Sequence, residues 1–526
     1  AGFPTGPPSG SSIGGGSYAT GYGNATEYIV RALGGYHNLF AEKHDVDLQL
    51  ISEYTRDFSK GFNYTGYGIN PKLLNTPAAI TPGTATNLLI PGVGGFKSGR
   101  ALYAAMALLK YSYLGKYTIN ASFRRDGSSQ LPEKNRYQNF YAAGATWNII
   151  KEGFAMDWKK IDALRLRLSY GTSANADGFP IGNFGYLATY GSGSFAGNQT
   201  IIPTNAGNPD LKWEKIATLN LGLDFGVFNN RITGSVEVYE KKGTDVIVTQ
   251  KLPLESGFRS QDINAATVRD RGVEVLLNGD IIRTKNIRWS IGGNVAYNKN
   301  EVISLGQGNE FEQGTEIERV GLPIGSHYIV KWAGVDAATG QPLYYSKDGK
   351  LTNVYSDDDK VADFGTYHAP WVGGFNTSLN VHGFTLDALF SYQQGFSRFN
   401  NQDFFQLNPA FAVQGFNLRT EMLTMWQKPG DVTNIQSPLY QRQFVSKDIQ
   451  DASYVRFRTL TLAYNFKNNL LAKTRVFSGA RFYVQGQNLF TWTNWVGFDP
   501  EDNDNIAAYE YPTPRTFTVG INFTLK

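Results

Sequence analysis

The sequence predicts an all-β chain, a transmembrane antiparallel β-barrel with apolar side chains outside and polar ones inside. Three observations predict it. Residues 515–526 read Arg-Thr-Phe-Thr-Val-Gly-Ile-Asn-Phe-Thr-Leu-Lys, so Phe517, Val519, Ile521, Phe523 and Leu525 alternate with polar residues or glycine. A period of two sends one set to each face of a strand, and about 9–11 tilted residues suffice to cross a bilayer. Second, aromatics make up 14% of the 526 residues and glycines number 58, while the mean hydropathy is slightly negative. That pairing suits a barrel and disfavours membrane helices; the longest unbroken apolar run, 101–109, is about half of what a membrane helix needs. Third, about fifteen alternating runs are separated by short turns and long Gly/Asn/Pro-rich loops in turn, the connection pattern of outer-membrane barrels.

In chain order, residues 1–26 are rich in Gly, Ser, Pro and Tyr and read as an extracellular loop. The stretch Gly10-Ser11-Ser12-Ile13-Gly14 matches a nucleophile elbow in letters only, because that motif needs a strand before it and a helix after it. Residues 27–526 read as barrel. Strands are predicted at 28–41 and 44–56, at 100–112 and 116–124, and at 137–149 and 164–170, with a connector at 151–161 that can hold a helical turn. They continue at 219–225 and 232–238, at 273–277 and 287–297, at 371–381 and 384–398, at 454–466, and in the final pair. The long loops fall at about 57–98, 175–212, 242–269, 301–369, 399–452 and 493–513, and 418–427 reads as a helical piece ended by Pro429-Gly430. Long loops are extracellular in such barrels and short turns periplasmic. A first strand that runs downward cannot open an even-numbered closed barrel. About seven further strands upstream would complete the plugged 22-stranded class, which makes this chain its C-terminal fifteen or so.

Other classes are excluded or disfavoured. The net charge is +4 with both signs mixed throughout, and no basic cluster supports nucleic-acid binding. Without cysteine there is neither a disulfide framework nor a thiolate metal site. The amino end lacks a basic n-region and an apolar h-region, so an export signal is expected upstream or already removed. The five histidines (His37, His44, His327, His368, His382) have no metal or triad spacing, and the strand-borne Asp45, Asp47 and Glu237 fit a polar lumen. The chain is not predicted to be an enzyme.

Several short stretches stand out: Asn208-Pro209-Asp210-Leu211-Lys212-Trp213-Glu214, Arg271-Gly272-Val273-Glu274, the run 294–302, Arg125-Asp126-Gly127-Ser128-Ser129, Ser453-Tyr454-Val455-Arg456-Phe457-Arg458, Gln487-Asn488-Leu489-Phe490-Thr491 and Tyr511-Pro512-Thr513-Pro514-Arg515-Thr516. In their order and spacing, from about residue 40 to the end, they resemble the SusC/RagA family of TonB-dependent outer-membrane transporters of the Bacteroidetes. It implies an importer in the outer membrane, among lipid and lipopolysaccharide, that takes up a glycan or peptide with a SusD-like surface lipoprotein as lid. TonB would drive it through a plug domain. The plug, N-terminal in the family, is not among these residues, so a non-transporting accessory or structural subunit of a larger outer-membrane complex is the alternative.

Candidate ligand contacts are aromatics of the long loops, which offer flat faces for stacking: Phe404, Phe405, Trp426 and Trp495 above all, with Phe411, Trp492, Tyr509 and Tyr511 behind them. The competing role is interfacial girdle or loop core. No cofactor is expected. Ca²⁺ at Asp348, Asp357 and Asp359 is the one metal candidate, since carboxylates suit a hard cation; the spacing is not that of an EF-hand, and a solvated loop is favoured.

Overall fold

The computed structural model describes residues 16–525, apart from 74–75, 85, 175–181, 197, 307, 467–475 and 503. Fifteen antiparallel strands form one sheet in chain order. We number them β1 (Ser17–Phe40), β2 (His44–Tyr67), β3 (Gly92–Tyr113), β4 (Tyr117–Ser128), β5 (Tyr137–Asn148), β6 (Ile161–Ser173), β7 (Lys215–Val227), β8 (Ile232–Lys251), β9 (Ser260–Arg283), β10 (Ile287–Ser304), β11 (Trp371–Val381), β12 (Phe384–Gln394), β13 (Tyr454–Asn465), β14 (Phe477–Thr493) and β15 (Thr516–Leu525). Strands β1 and β15 are its edges, and both are exposed along nearly their whole length.

Register explains the two faces. One row of paired residues runs Trp289, Leu379, Leu386, Leu462, Val484 and Val519 across β10 to β15. The next row, one residue along each strand, runs Ser290, Ser378, Asp387, Thr461, Gln485 and Thr518. Because successive side chains point to opposite faces, these rows lie on opposite sides of the wall. The polar row is stitched sideways: Ser378 Oγ donates to Asp387 at 2.6 Å and Gln485 Nε2 to Thr461 at 3.0 Å. On the same polar face Arg167 donates to Asp224 at 2.8 and 3.0 Å and to Glu237 at 2.7 Å, joining β6, β7 and β8. The apolar row stays open, with Leu462 50% and Val519 67% exposed. A water-soluble protein does not leave so wide an apolar band uncovered.

Aromatic rings mark both ends of that band. Near the short turns Phe384 packs on Tyr464 at 4.5 Å and Phe477 on Phe523 at 4.8 Å; towards the long loops Phe390 stacks between Phe375 at 4.4 Å and Phe457 at 4.5 Å. Phe384 and Phe390 are six residues apart on one strand, about 20 Å at ~3.3 Å per residue. A membrane barrel's apolar band is about 25 Å tall. Among the described residues no helix is long and apolar enough to cross a membrane; the strands have the length to do so.

Several strands run further than their alternation predicts. Residues 17–26, read as loop, are the first part of β1, and 57–67 the last part of β2; residues 1–15, with the elbow-like Gly10–Gly14, lie outside the described residues. In 17–26 Gly, Ala, Asn and Thr blur the alternation, in 57–67 Lys60 and two glycines interrupt it, and small residues let the backbones close up. A Cβ at Gly61 would lie 2.7 Å from the carbonyl oxygen of Tyr22. The loop expected at 242–269 is mostly strand as well, since β8 reaches Lys251 and β9 starts at Ser260. A register shift between Gly243 and Val246, with Asp245 at φ 57°, breaks the period there. The helical piece at 418–427 is one 3₁₀ turn, Thr420–Thr424, while the connector 151–161 contains the 3₁₀ turn Gly153–Ala155. The helices lie earlier: α1 (Asn401–Gln406) and α2 (Pro409–Val413), with the side chains of Asn400 and Asn408 accepting from Asp403 N and Ala410 N. An Asn cap followed by Pro at N1 is a start signal that outweighs weak propensity.

Candidate functional site

The long connections, 305–370, 395–453 and 494–515, fold together into a crown on one end of the wall. Their centre is a small sheet in which Ser397–Asn400 pairs with Ile449–Asp451 and, in parallel, with Ile506–Ala507. Phe396, Ala452, Tyr454, Trp495 and Ala507 are buried together beneath it. Arg398 is completely buried there; it donates to the carbonyl oxygens of Asp504 at 2.7 Å and Asp499 at 3.3 Å and to the Asp502 carboxylate at 2.8 Å, and its guanidinium lies 5.3 Å over the Trp495 ring. Arg456, also buried, pairs with Asp499 and, at 3.1 Å, with Glu501. The third loop is tied in by Asn505 Nδ2 to Glu316 Oε1 at 2.7 Å and by His327 Nε2 to the Ser397 carbonyl at 2.9 Å. Burial holds the His327 imidazole below its usual range, and the same cause raises the Glu318 carboxyl.

The motif 208–214 has a structural part. Leu211 and Trp213 are buried with Leu131, Phe140 and Ile247, and Trp213 Nε1 donates to the Arg136 carbonyl at 3.0 Å. Asn208 Nδ2 reaches the Asp262 carbonyl at 2.9 Å and Glu214 accepts from Ile247 N at 2.7 Å. The segment packs the loop before β5 against the outer parts of β8 and β9.

The four leading aromatic candidates are placed very differently. Trp495 is 6% exposed beneath Arg398. Trp426 donates to the Ala337 carbonyl at 3.0 Å and packs on Gly340, where a Cβ would meet its ring at 2.5 Å. Phe404 is 9% exposed, with Phe444 on its ring at 3.7 Å and the Arg442 guanidinium 4.7 Å away. Only Phe405 turns a face to open space. It lines a cavity of about 350 Å³ with Gln406, Phe411, Phe416, Asn417, Leu418 and Tyr509. The sequence marks Phe411 and Tyr509 as flat loop aromatics; it gives Phe416 and Leu418 no signal beyond their closeness to other aromatics.

The acidic candidates are engaged with their own loop. Asp357 Oδ1 accepts from the Tyr355 hydroxyl at 3.0 Å and pairs with Lys360 at 3.2 Å, which holds its carboxyl below the usual range. Asp359 accepts from Lys347 N at 2.8 Å, and Asp348 is exposed in a turn closed by Gly349 N to Ser346 O at 2.8 Å. Among the described residues no group of three or more His, Asp or Glu side chains could hold a metal ion.

An apolar band outside, ion-paired polar rows inside and a folded crown at one end define a barrel of the membrane-transporter kind. The family model described as TonB dependent receptor-like, beta-barrel, matches residues 4–392, and the chain belongs to that family. It is 30% identical over 463 residues to TonB-dependent receptor P3 of Formosa agariphila, covering 80% of this chain and 45% of that one. It is 28% identical over 449 residues to TonB-dependent receptor SusC of Bacteroides thetaiotaomicron, covering 81% and 44%. Among solved structures the RagAB peptide transporter superposes with a TM-score of 0.87 at 28% identity, covering 96% of this chain and 56% of that one. The chain spans about half the length of the relatives it matches.

Proposed function

We propose that this chain is the barrel wall and crown of a SusC/RagA-type importer in the bacterial outer membrane. It takes up an oligosaccharide or a peptide together with a SusD-like surface lipoprotein. The observation that carries the reading is the pair of rows one residue apart, apolar from Trp289 to Val519 and polar from Ser290 to Thr518. A wall built so is stable only with lipid on one side and water, or a polar plug, on the other. The similarity to SusC and to the RagAB transporter supports import over a passive scaffold. The fifteen strands are assigned to a 22-stranded barrel, with the long loops outward, and TonB acts through a plug that these residues do not supply.

The test is uptake. Cells with the gene deleted should stop depleting one class of supplied oligosaccharide or peptide from the medium, and cells lacking TonB should show the same defect. The protein extracted in detergent should bring a surface lipoprotein with it. Undiminished depletion of every nutrient offered after the deletion, although the undeleted strain carries the barrel in its outer membrane, would leave the accessory-subunit alternative in its place.

A further inference from the structure

We propose that the cavity between α1, α2 and the segment around Tyr509 is a subsite for an apolar side chain of a peptide, either aromatic or branched aliphatic. The inference rests on the importer reading and narrows its substrate class.

Four features lead to it. The first is size: about 350 Å³ comfortably exceeds the ~150 Å³ of a cavity that takes up benzene. The second is chemistry. Phe405, Phe411, Phe416 and Leu418 supply the walls, the amide residues Gln406 and Asn417 are in the lining with them, and the lining carries no charged residue. Those two amides each donate and accept, which matches a peptide bond entering beside an apolar group. A sugar ring carries hydroxyls around its whole edge and would leave most of them without partners, a heavy penalty once they are removed from water.

The third feature is shape. The Phe411 and Phe416 rings, 5.5 Å apart, are inclined at 74°, so they form a corner rather than a flat stacking platform. The fourth is preparation. Phe405 rests edge-on against Phe404 at 5.2 Å, itself held between Phe444 and Arg442, so the back wall is rigid. Tyr509 presents its ring from a backbone at φ 63°, a conformation that costs a non-glycine residue energy and tends to persist at ligand sites. Phe416 nevertheless stays 62% exposed and Tyr509 46%. A single recess of this volume is too small for a stable protein partner, which needs about 800 Å² on each side.

The experiment uses the protein extracted with its native partners in detergent, and two fluorescein-labelled pentapeptides, Gly-Ala-Phe-Ala-Gly and Gly-Ala-Ser-Ala-Gly, with maltopentaose as competitor. The Phe peptide should bind about tenfold tighter than the Ser peptide or better, the scale of burying one large apolar side chain. Phe416→Ala should erase most of that preference and Phe416→Leu should keep it, with heat-modifiable gel mobility showing that both variants fold. Equal binding of the two peptides overturns the proposal, as does a preference that survives Phe416→Ala. So does displacement by maltopentaose in place of the peptides. Loss of the lipoprotein from the Phe416→Ala preparation, with peptide selectivity unchanged, would reassign the cavity to the partner. The importer reading fails separately, through uptake that does not depend on the gene at all.

Discussion

The wall and the crown are built from one chain by different means. In the wall, order is local and repetitive: each strand pairs with its sequence neighbour, and a shift by one residue would turn every side chain to the wrong face. Leu462 and Thr461 are adjacent, yet one belongs to the open apolar row and the other to the hydrogen-bonded polar row. In the crown, order comes from a few buried charged groups that join segments about a hundred residues apart, as when Arg398 reaches Asp502 and Asp504. A buried ion pair contributes little net stability but is costly to break on one side, so the crown is held by contacts that fail singly. The wall is redundant and the crown is not.

That difference can be broken first at Arg398. Arg398→Ala removes the Arg398 donor from the Asp502 carboxylate and from two carbonyl oxygens and uncovers the Trp495 ring. A loss of about 3 kcal/mol in the crown is expected, the low end of the 3–5 kcal/mol for a broken buried pair because Asp502 retains some access to water. Hydrogen exchange should speed up at Ser397–Asn400 and Ile449–Asp451 while β11 to β14 keep their protection. If the wall strands lost protection equally, wall and crown would be one cooperative unit and the contrast would be wrong.

The second test is in the wall. Val484→Arg sets a charge on the lipid side between the two aromatic rings of the barrel, where about 2–4 kcal/mol is the cost at mid-membrane. Gln485→Arg, one residue on, faces the polar side and should cost about 1 kcal/mol, the scale of the hydrogen bond to Thr461 that it gives up. Guanidinium midpoints in lipid vesicles would report both. Equal penalties would mean that the two faces have been assigned wrongly.

The same contrast explains what could be read in the sequence. Strand positions were legible where apolar and polar residues alternate, as from Phe517 to Leu525, because period two encodes the face directly. Strand ends were not legible at 17–26 and 242–251, where Gly, Asn and a bulge remove the alternation, or at 57–67, where Lys60 and two glycines interrupt it, although the backbone pairing continues. The crown was legible only as loops rich in aromatics. Composition identified Trp495 and Trp426 as flat apolar faces; it contained nothing to say that Arg398 would cover one and the Gly340 turn the other, since those contacts span 97 residues and 86 residues of chain. Phe405 sits beside Phe404 in sequence, and the packing of α1 against Phe444 decides which ring is enclosed and which faces the cavity.

A smaller effect separates the two regions by acidity. His327 is fully buried in the crown, where Nε2 donates to the Ser397 carbonyl and Nδ1 has no partner among the described residues. Protonation would add an N–H at Nδ1 with nothing to accept it, and burial already keeps the imidazole below its ordinary value of 6.5. His368 is lowered by burial too, with Glu316 and Asp270 pulling in the other direction. At these two histidines the folded crown binds fewer protons than the opened one between the lowered values and 6.5, so the stability they contribute is intact above 6.5 and is lost as pH falls through that window, while the raised Glu318 carboxyl works the other way. Exchange at residues 326–327 and 397–400, corrected for the intrinsic rate, should accelerate between about pH 7 and about pH 5, where an unperturbed histidine takes up its proton. His327→Gln should flatten that dependence, because an amide can still donate to Ser397 but cannot titrate. The apolar and uncharged rows of β13 and β14 should show no such slope. A slope of the same size in those strands would place the acid-sensitive groups in the wall and remove His327 from the account.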